Sequence, residues 1–309
     1  EKKYDAVLEP IFKNSLPEMP RPVSVAYDKG CDLLTNKAPG TIAKPKVLIP
    51  VFPGTNCEYD MAAAFNRYGG EAEIFVIRNL SAKNMEDSVN EFAKRIENSQ
   101  MIAVPGGFSG GDEPEGSAKF INAFFRNPKI KDAVENMLYA RDGLMIGICN
   151  GFQALIKLGL VPFGKIVPLS SESPTLTYNT IGRHQSQLAL TKICTNKSPW
   201  LMHCKVGEVY NIPISHGEGR FVASDEVIAK LIENGQIATQ YVDLNGEPTM
   251  DLAYNPNSSM CAIEGIISPD GRVLGKMGHT ERISSDTCVN VDGNKEQLLF
   301  KGGVDYFRI

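Results

Sequence analysis

At 309 residues, with 42% hydrophobic and 22% charged side chains and a net charge of −4, the chain has the balance of a soluble protein able to bury a substantial core. A mildly acidic surface lacks the basic footprint that nucleic acid or an anionic membrane needs, and no run approaches the roughly 18 consecutive apolar residues of a membrane span. The seven cysteines are odd in number, scattered and never spaced C-x-x-C, which argues against a disulfide framework or a structural zinc site. With no apolar leader and cleavage site in view, the cytoplasm is the expected compartment.

Residues 1–45 carry six prolines (Pro10, Pro17, Pro20, Pro22, Pro39, Pro45) and only brief apolar runs, which predicts an extended connector leading into one domain over 46–309. The pattern changes at Lys46. Val47, Leu48, Ile49 and Val51 form a short apolar run without alternation, the mark of a strand covered on both faces. A second strand is expected over 71–77, then a helix over 84–98 with Met85, Val89, Phe92 and Ile96 at helical spacing. A third strand over 101–104 stops at Pro105-Gly106-Gly107, and helices over 117–126 and 130–141 precede a fourth strand over 144–148. Such alternation predicts an α/β fold, a flavodoxin-like, mostly parallel sheet with helices on both faces. Beyond Leu160 strand patterns crowd together at 187–194, 206–214, 238–241, 263–267 and 273–277, with one helix over 225–234, so antiparallel strands are expected to extend the same sheet. Ligands of such sheets sit at the carboxyl ends of the strands, where the Pro105 and Cys149 motifs fall.

Gly147-Ile148-Cys149-Asn150-Gly151-Phe152-Gln153 runs from a strand into a predicted helix over 152–158, the layout of a nucleophile elbow. Glycines two residues either side let strand and helix approach closely around a strained tip. A cysteine at a strand end is ordinarily a small buried apolar residue, and that reading suits the other six; the glycine spacing sets Cys149 apart. A thiol of pKa ~8.5 is mostly protonated at neutral pH, and a helix N-terminus with a histidine nearby stabilises its anion. The N–H of Asn150 points where a tetrahedral oxyanion forms, and the Gly106-Gly107 turn of the neighbouring strand offers a second donor.

Four histidines compete for the role of base: His184, His203, His216 and His279. His279 lies just past the predicted strand over 273–277, and Glu281 follows two residues on in an extended turn, placed to hold the ring's other N–H and fix its tautomer. A lone H-x-E is a common pattern and gains weight only beside the elbow. His216, in Ser215-His216-Gly217-Glu218-Gly219, is the rival, although its glycine-rich setting suits backbone contacts to a small polar ligand better. His184 and His203 read as surface or structural residues.

G-x-C-x-G-x-Q followed far downstream by H-x-E resembles the class I glutamine amidotransferases over residues 46–282. Phe52-Pro53-Gly54-Thr55-Asn56-Cys57, Pro105-Gly106-Gly107-Phe108-Ser109, Ser215-His216-Gly217-Glu218-Gly219 and Tyr254-Asn255-Pro256-Asn257-Ser258 narrow the resemblance to the glutaminase component of phosphoribosylformylglycinamidine (FGAM) synthases. The resemblance implies that Cys149 forms a γ-glutamyl thioester, that His279 shuttles the proton and that Glu281 orients it. It implies an oxyanion hole of Gly107 and Asn150, with Gly106, Gln153, Ser215, His216 and Gly217 around the amino-acid end of L-glutamine. It also implies that ammonia passes to an FGAM synthetase domain, on the same polypeptide or a separate subunit, which uses ATP and Mg2+. No P-loop occurs here, so no cofactor and no metal is expected in this chain.

Two departures stand out. The family's usual H-P-E-R has Thr280 in place of proline, which fixes the turn backbone less firmly. The stretch 110–115 also differs from the form common in stand-alone glutaminases and, with the proline-rich lead-in, favours a domain at the C-terminal end of a single-chain synthase. The residues themselves leave two other readings open: another elbow-cysteine hydrolase, such as a γ-glutamyl peptidase, and a non-catalytic flavodoxin-like docking module.

Overall fold

A computed structural model describes residues 20–37, 42–108 and 117–309. Its strands are β1 (Lys46–Val51), β2 (Glu71–Val76), β3 (Met101–Val104), β4 (Leu144–Ile148), β5 (Thr175–Thr177), β6 (Gln185–Ile193), β7 (Val209–His216), β8 (Arg220–Val222), β9 (Ile237–Tyr241), β10 (Ile263–Ile267) and β11 (Val273–Lys276). Nine of them form one sheet in the order β2-β1-β3-β4-β11-β10-β9-β6-β7, and β5 pairs with β8 in a separate ribbon. Pairing is parallel from β2 to β11 and antiparallel from β11 to β7. The expected parallel core with an antiparallel extension is therefore what the chain builds. Strands β3, β4, β10 and β11 are buried along their whole length, as unalternated aliphatic runs require.

The helices are α1 (Asp32–Thr35), α2 (Glu58–Arg67), α3 (Ala82–Glu97), α4 (Lys119–Phe125), α5 (Pro128–Glu135), α6 (Asn150–Leu158), α7 (Leu160–Phe163), α8 (Asp225–Glu233) and α9 (Leu299–Asp305). The chain leaves β1 toward β2, then returns past β1 to reach β3. Right-handed crossovers consequently place α2 and α3 on opposite faces. On the α2 face Phe65 packs edge-on against Trp200 and Phe300, with ring centroids 6.2 and 4.9 Å away. On the other face Phe92 of α3 meets Phe124 and Phe125 of α4 at 5.4 and 5.9 Å. Each fully buried aromatic contributes about 1.5–3 kcal/mol from burial. Helix α3 begins where Ser81 Oγ accepts from the Asn84 N–H at 3.1 Å and ends with Lys94 and Arg95 in its last turn.

The reversal of direction at β1 opens a crevice between the carboxyl ends of β1 and β3. The loops that follow these strands are joined there by a bridge between Thr55 and Gly107. Of the lead-in, Val25 and Cys31 are buried, Tyr27 bridges Thr195, and the Val25 N–H reaches Gln240 Oε1 at 2.9 Å. This segment lies along the β6–β9 side of the sheet, while 1–19 and 38–41 lie outside the described residues. No helix among the described residues is long and apolar enough to cross a membrane.

Candidate active site

Cys149 caps α6 directly after β4 with φ 55° and ψ −109°, a conformation that costs a non-glycine residue about 1–3 kcal/mol. Close packing imposes it. A Cβ on Gly151 would lie 2.0 Å from the Val104 carbonyl oxygen, and one on Gly147 would lie 2.7 Å from that of Gly151. Only glycine at both positions lets α6 descend onto the sheet, as the spacing predicts. The Cys149 N–H donates to the Lys276 carbonyl at 2.9 Å, which ties the elbow to β11.

The same β4–β11 pairing brings the base. Ile148 lies opposite Lys276, so the chain beyond β11 reaches His279 beside the elbow. His279 and Glu281 are 2% and 3% exposed, and Nδ1 meets Glu281 Oε1 at 2.6 Å. Burial opposes a charged ring, yet Glu281 and the Cys149 sulfur outweigh it and hold His279 well above the ordinary histidine range. With Nδ1 committed to Glu281, the other ring nitrogen serves the elbow. Residues 280–282 form a 3-10 turn rather than the extended turn expected, because the Arg282 N–H closes back on the His279 carbonyl at 3.2 Å.

His216 comes closer to the elbow than its glycine-rich setting suggests. The Cys149 sulfur and a ring nitrogen each of His216 and His279 lie within 4.8 Å of one another, and the two rings stack with centroids 5.6 Å apart. Burial and the charge of His279 push His216 well below the usual range, so its ring is neutral. The Asn255-Pro256-Asn257 motif supports this turn: Asn257 Nδ2 lies 3.3 Å from His216 Nδ1 and donates to the Tyr241 hydroxyl at 2.9 Å. His216 Nε2 is buried without a partner.

The other predicted residues gather at the same cleft. Gly107, Cys149, Gln153, Ser215, His216 and Gly217 line it together with Phe108 and Glu218, around a space of about 10 Å³. Gly107, at φ 139°, has no room for a Cβ, which would lie 2.5 Å from the Gly54 carbonyl oxygen. A Cβ on Gly106 would lie 2.9 Å from His279 Cε1. The Gln153 amide is a strut: Oε1 accepts from Asn150 Nδ2 at 2.8 Å and Nε2 donates to the Glu218 carbonyl. Ser215 Oγ meets His184 Nε2 at 2.9 Å, which puts His184 at the rim, whereas His203 pairs with Asp305 on α9 at 2.8 Å. Ser109 and the stretch 110–115 lie outside the described residues.

Cys57 and Glu218, read in the sequence only as members of longer motifs with no role of their own, both belong to the site. Cys57 caps α2 fully buried, with its sulfur 4.0 Å from His279 Nδ1 and 2.9 Å from Arg282 Nη2, which donates to it. Glu218 is 4% exposed: Oε2 accepts from the Ser117 N–H at 3.3 Å and Oε1 has no partner. Cys57, His279 and Glu281 form a second trio of potential metal donors beside that of Cys149, His216 and His279. Both trios share His279, so they are overlapping parts of one cluster.

A doubly wound sheet whose elbow cysteine faces a histidine–glutamate pair is the architecture of thiol-dependent acyl-transfer proteins. Residues 44–307 match the CobB/CobQ-like glutamine amidotransferase domain, and the chain belongs to that family. Phosphoribosylformylglycinamidine synthase subunit PurQ of Chlorobium chlorochromatii is 34% identical over 262 residues, covering 82% of this chain and 93% of that protein. PurQ of Aquifex aeolicus is 33% identical over 249 residues, covering 80% and 95%. Among solved structures, a chain of PurLQS from Thermotoga maritima superposes with a TM-score of 0.61 at 25% identity, over 85% of this chain and 99% of that one.

Proposed function

We propose that this chain is the glutaminase component of an FGAM synthase, hydrolysing L-glutamine to glutamate and ammonia through a thioester on Cys149. The observation that carries the reading is the meeting of the Cys149 sulfur with the His279–Glu281 pair in one cleft of this family's fold. The cationic His279 ring is the counter-charge that a nucleophilic sulfur anion needs. The sulfur attacks the carboxamide carbon, and the N–H groups of Gly107 and Asn150 meet the oxyanion, each worth about 3 kcal/mol in the transition state. His279 gives its proton to the departing nitrogen, the C–N bond breaks, and ammonia leaves a thioester behind. Water then adds while His279 takes its proton; the C–S bond breaks and glutamate is released.

Gly106, Gln153, Ser215, His216 and Gly217 surround the amino-acid end of the substrate in this reading, and the unpartnered Oε1 of Glu218 accepts from its α-ammonium. The ammonia passes to an FGAM synthetase component, where ATP and Mg2+ act on the nucleotide; this chain itself carries no cofactor. The names of the PurQ relatives and of the PurLQS structure support such a partner. Admission of glutamine beside Cys149 is a step suited to coupling with the partner, because closure of such sites is commonly tied to partner binding.

A glutamine-like chloroketone should label Cys149 in the folded chain, as read by peptide mass spectrometry. Combined with the synthetase component, Cys149→Ala should abolish glutamine-dependent synthesis and leave ammonia-dependent synthesis intact. An unmodified Cys149, or equal survival of both reactions, would overturn the reading. Faster turnover of γ-glutamyl peptides than of glutamine would replace it with a peptidase.

A further inference from the structure

The turn that carries His279 is built on a buried ion pair. Lys276 and Glu264, 1% and 0% exposed in their side chains, face each other at 3.3 Å on the paired strands β11 and β10. An ion pair removed from water is costly unless hydrogen bonds saturate it, and here the catalytic turn itself does so. Lys276 Nζ donates to the Gly278 carbonyl at 3.0 Å and to Thr280 Oγ1 at 3.0 Å. Glu264 Oε1 accepts from the Gly278 N–H at 2.5 Å, while Oε2 accepts from Thr239 Oγ1. Thr280 Oγ1 in turn donates to Gln297 Oε1 at 2.8 Å, and Gln297 Nε2 donates to Thr191 Oγ1 at 3.3 Å. The pair thus grips the residue on each side of His279, and the Pro213 carbonyl holds the His279 N–H at 2.9 Å.

We propose that Lys276, Glu264 and Thr280 are positioning residues that aim the His279 ring at Cys149, doing by a buried hydrogen-bonded clamp what a proline at position 280 would do by a fixed backbone angle. None of the three lines the cleft beside Cys149. The Thr280 hydroxyl is the element by which the clamp reaches past His279, because it accepts from Lys276 and donates to Gln297 at once. A valine there has the same shape and neither bond. The inference rests on the glutaminase reading, since it concerns the aim of that reaction's proton shuttle.

Four forms of the chain, assayed with the synthetase component, test it: wild type, Thr280→Val, Thr280→Ser and the volume-conserving double variant Lys276→Met/Glu264→Gln. Misaiming the ring should lower kcat for glutamine by roughly tenfold in Thr280→Val and further in the double variant, with KM changed by less than about twofold. Thr280→Ser, which restores the hydroxyl, should recover kcat to within about twofold of wild type. A purely structural role predicts instead a lowered melting temperature with kcat of the folded fraction unchanged, and that result would overturn the proposal. Failure of Thr280→Ser to recover kcat would do the same. A wild-type chain that neither hydrolyses glutamine nor takes the chloroketone on Cys149 would bring down the glutaminase reading and this inference with it, whereas an active wild type with indifferent variants removes only the clamp.

Discussion

The two stacked histidines of the cleft pull stability in opposite directions with pH. His279 is raised in the folded chain, so its contribution is fully present below the unfolded value of about 6.5 and is lost as pH rises through the folded one. His216 is depressed, so the stability of keeping it neutral is present above about 6.5 and declines as pH falls below that. Comparing wild type with His216→Asn by urea denaturation at a series of pH values, the wild type should lose more stability between roughly pH 6.5 and 5. Parallel pH curves for the two proteins would rule out a buried neutral His216. The sequence made Cys149, His279 and Glu281 legible because local spacing encodes them: glycines two residues either side of the thiol, and an acid two residues past the ring. His216 was legible as a residue of the substrate end but not as a ring stacked on His279 beside the Cys149 sulfur, and Glu218, Cys57 and the Lys276–Glu264 clamp had no role to be read. Each gains its role from a partner far along the chain, and no local spacing records a contact such as Cys57 with Arg282.

At the level of elements, the buried strands announced themselves and the helices were read less evenly. Strands β3, β4 and β10 follow their apolar runs closely because both faces are covered and no register ambiguity arises. Helix α2 escaped notice: Ala62, Ala63 and Ala64 fill its middle and blur the apolar period, although Met61 and Phe65 anchor it in the core. Helix α9 escaped for a different reason, since Gly302 and Gly303 lower its intrinsic helicity. Tertiary contact demands them, because a Cβ on Gly303 would lie 2.2 Å from the Trp200 ring and one on Gly302 would lie 2.6 Å from the Trp200 carbonyl oxygen. The tightest such contact is at the elbow. Gly151→Ala should push α6 off β3, costing about 1–3 kcal/mol or more in urea denaturation and abolishing chloroketone labelling of Cys149. Normal stability with full labelling would show that the strand–helix contact is not what sets the elbow.

At the level of the molecule, nucleophile and base stand at the ends of neighbouring strands, β4 and β11, in the middle of the nine-stranded sheet. Their separation is set by four paired positions, from Val273 opposite Met145 to Lys276 opposite Ile148. Trp200, the only tryptophan, is buried and donates its indole N–H to the Arg272 carbonyl at 3.0 Å, just before β11. On heating, the midpoint of glutaminase loss and the midpoint of the Trp200 fluorescence change should therefore coincide. Activity vanishing well before the tryptophan signal would mean that the site melts as a local unit. The parallel core and its antiparallel extension were legible from the order of apolar runs, whereas the β5–β8 ribbon, with strands of three residues each, left too short a pattern to read. Because the reacting pair is registered by the central seam, the β2 edge, the docked lead-in and the surface loops away from the cleft are free to diverge. A lineage can in this way exchange its assembly partners or its covalent neighbours while the chemistry at the seam stays in tune.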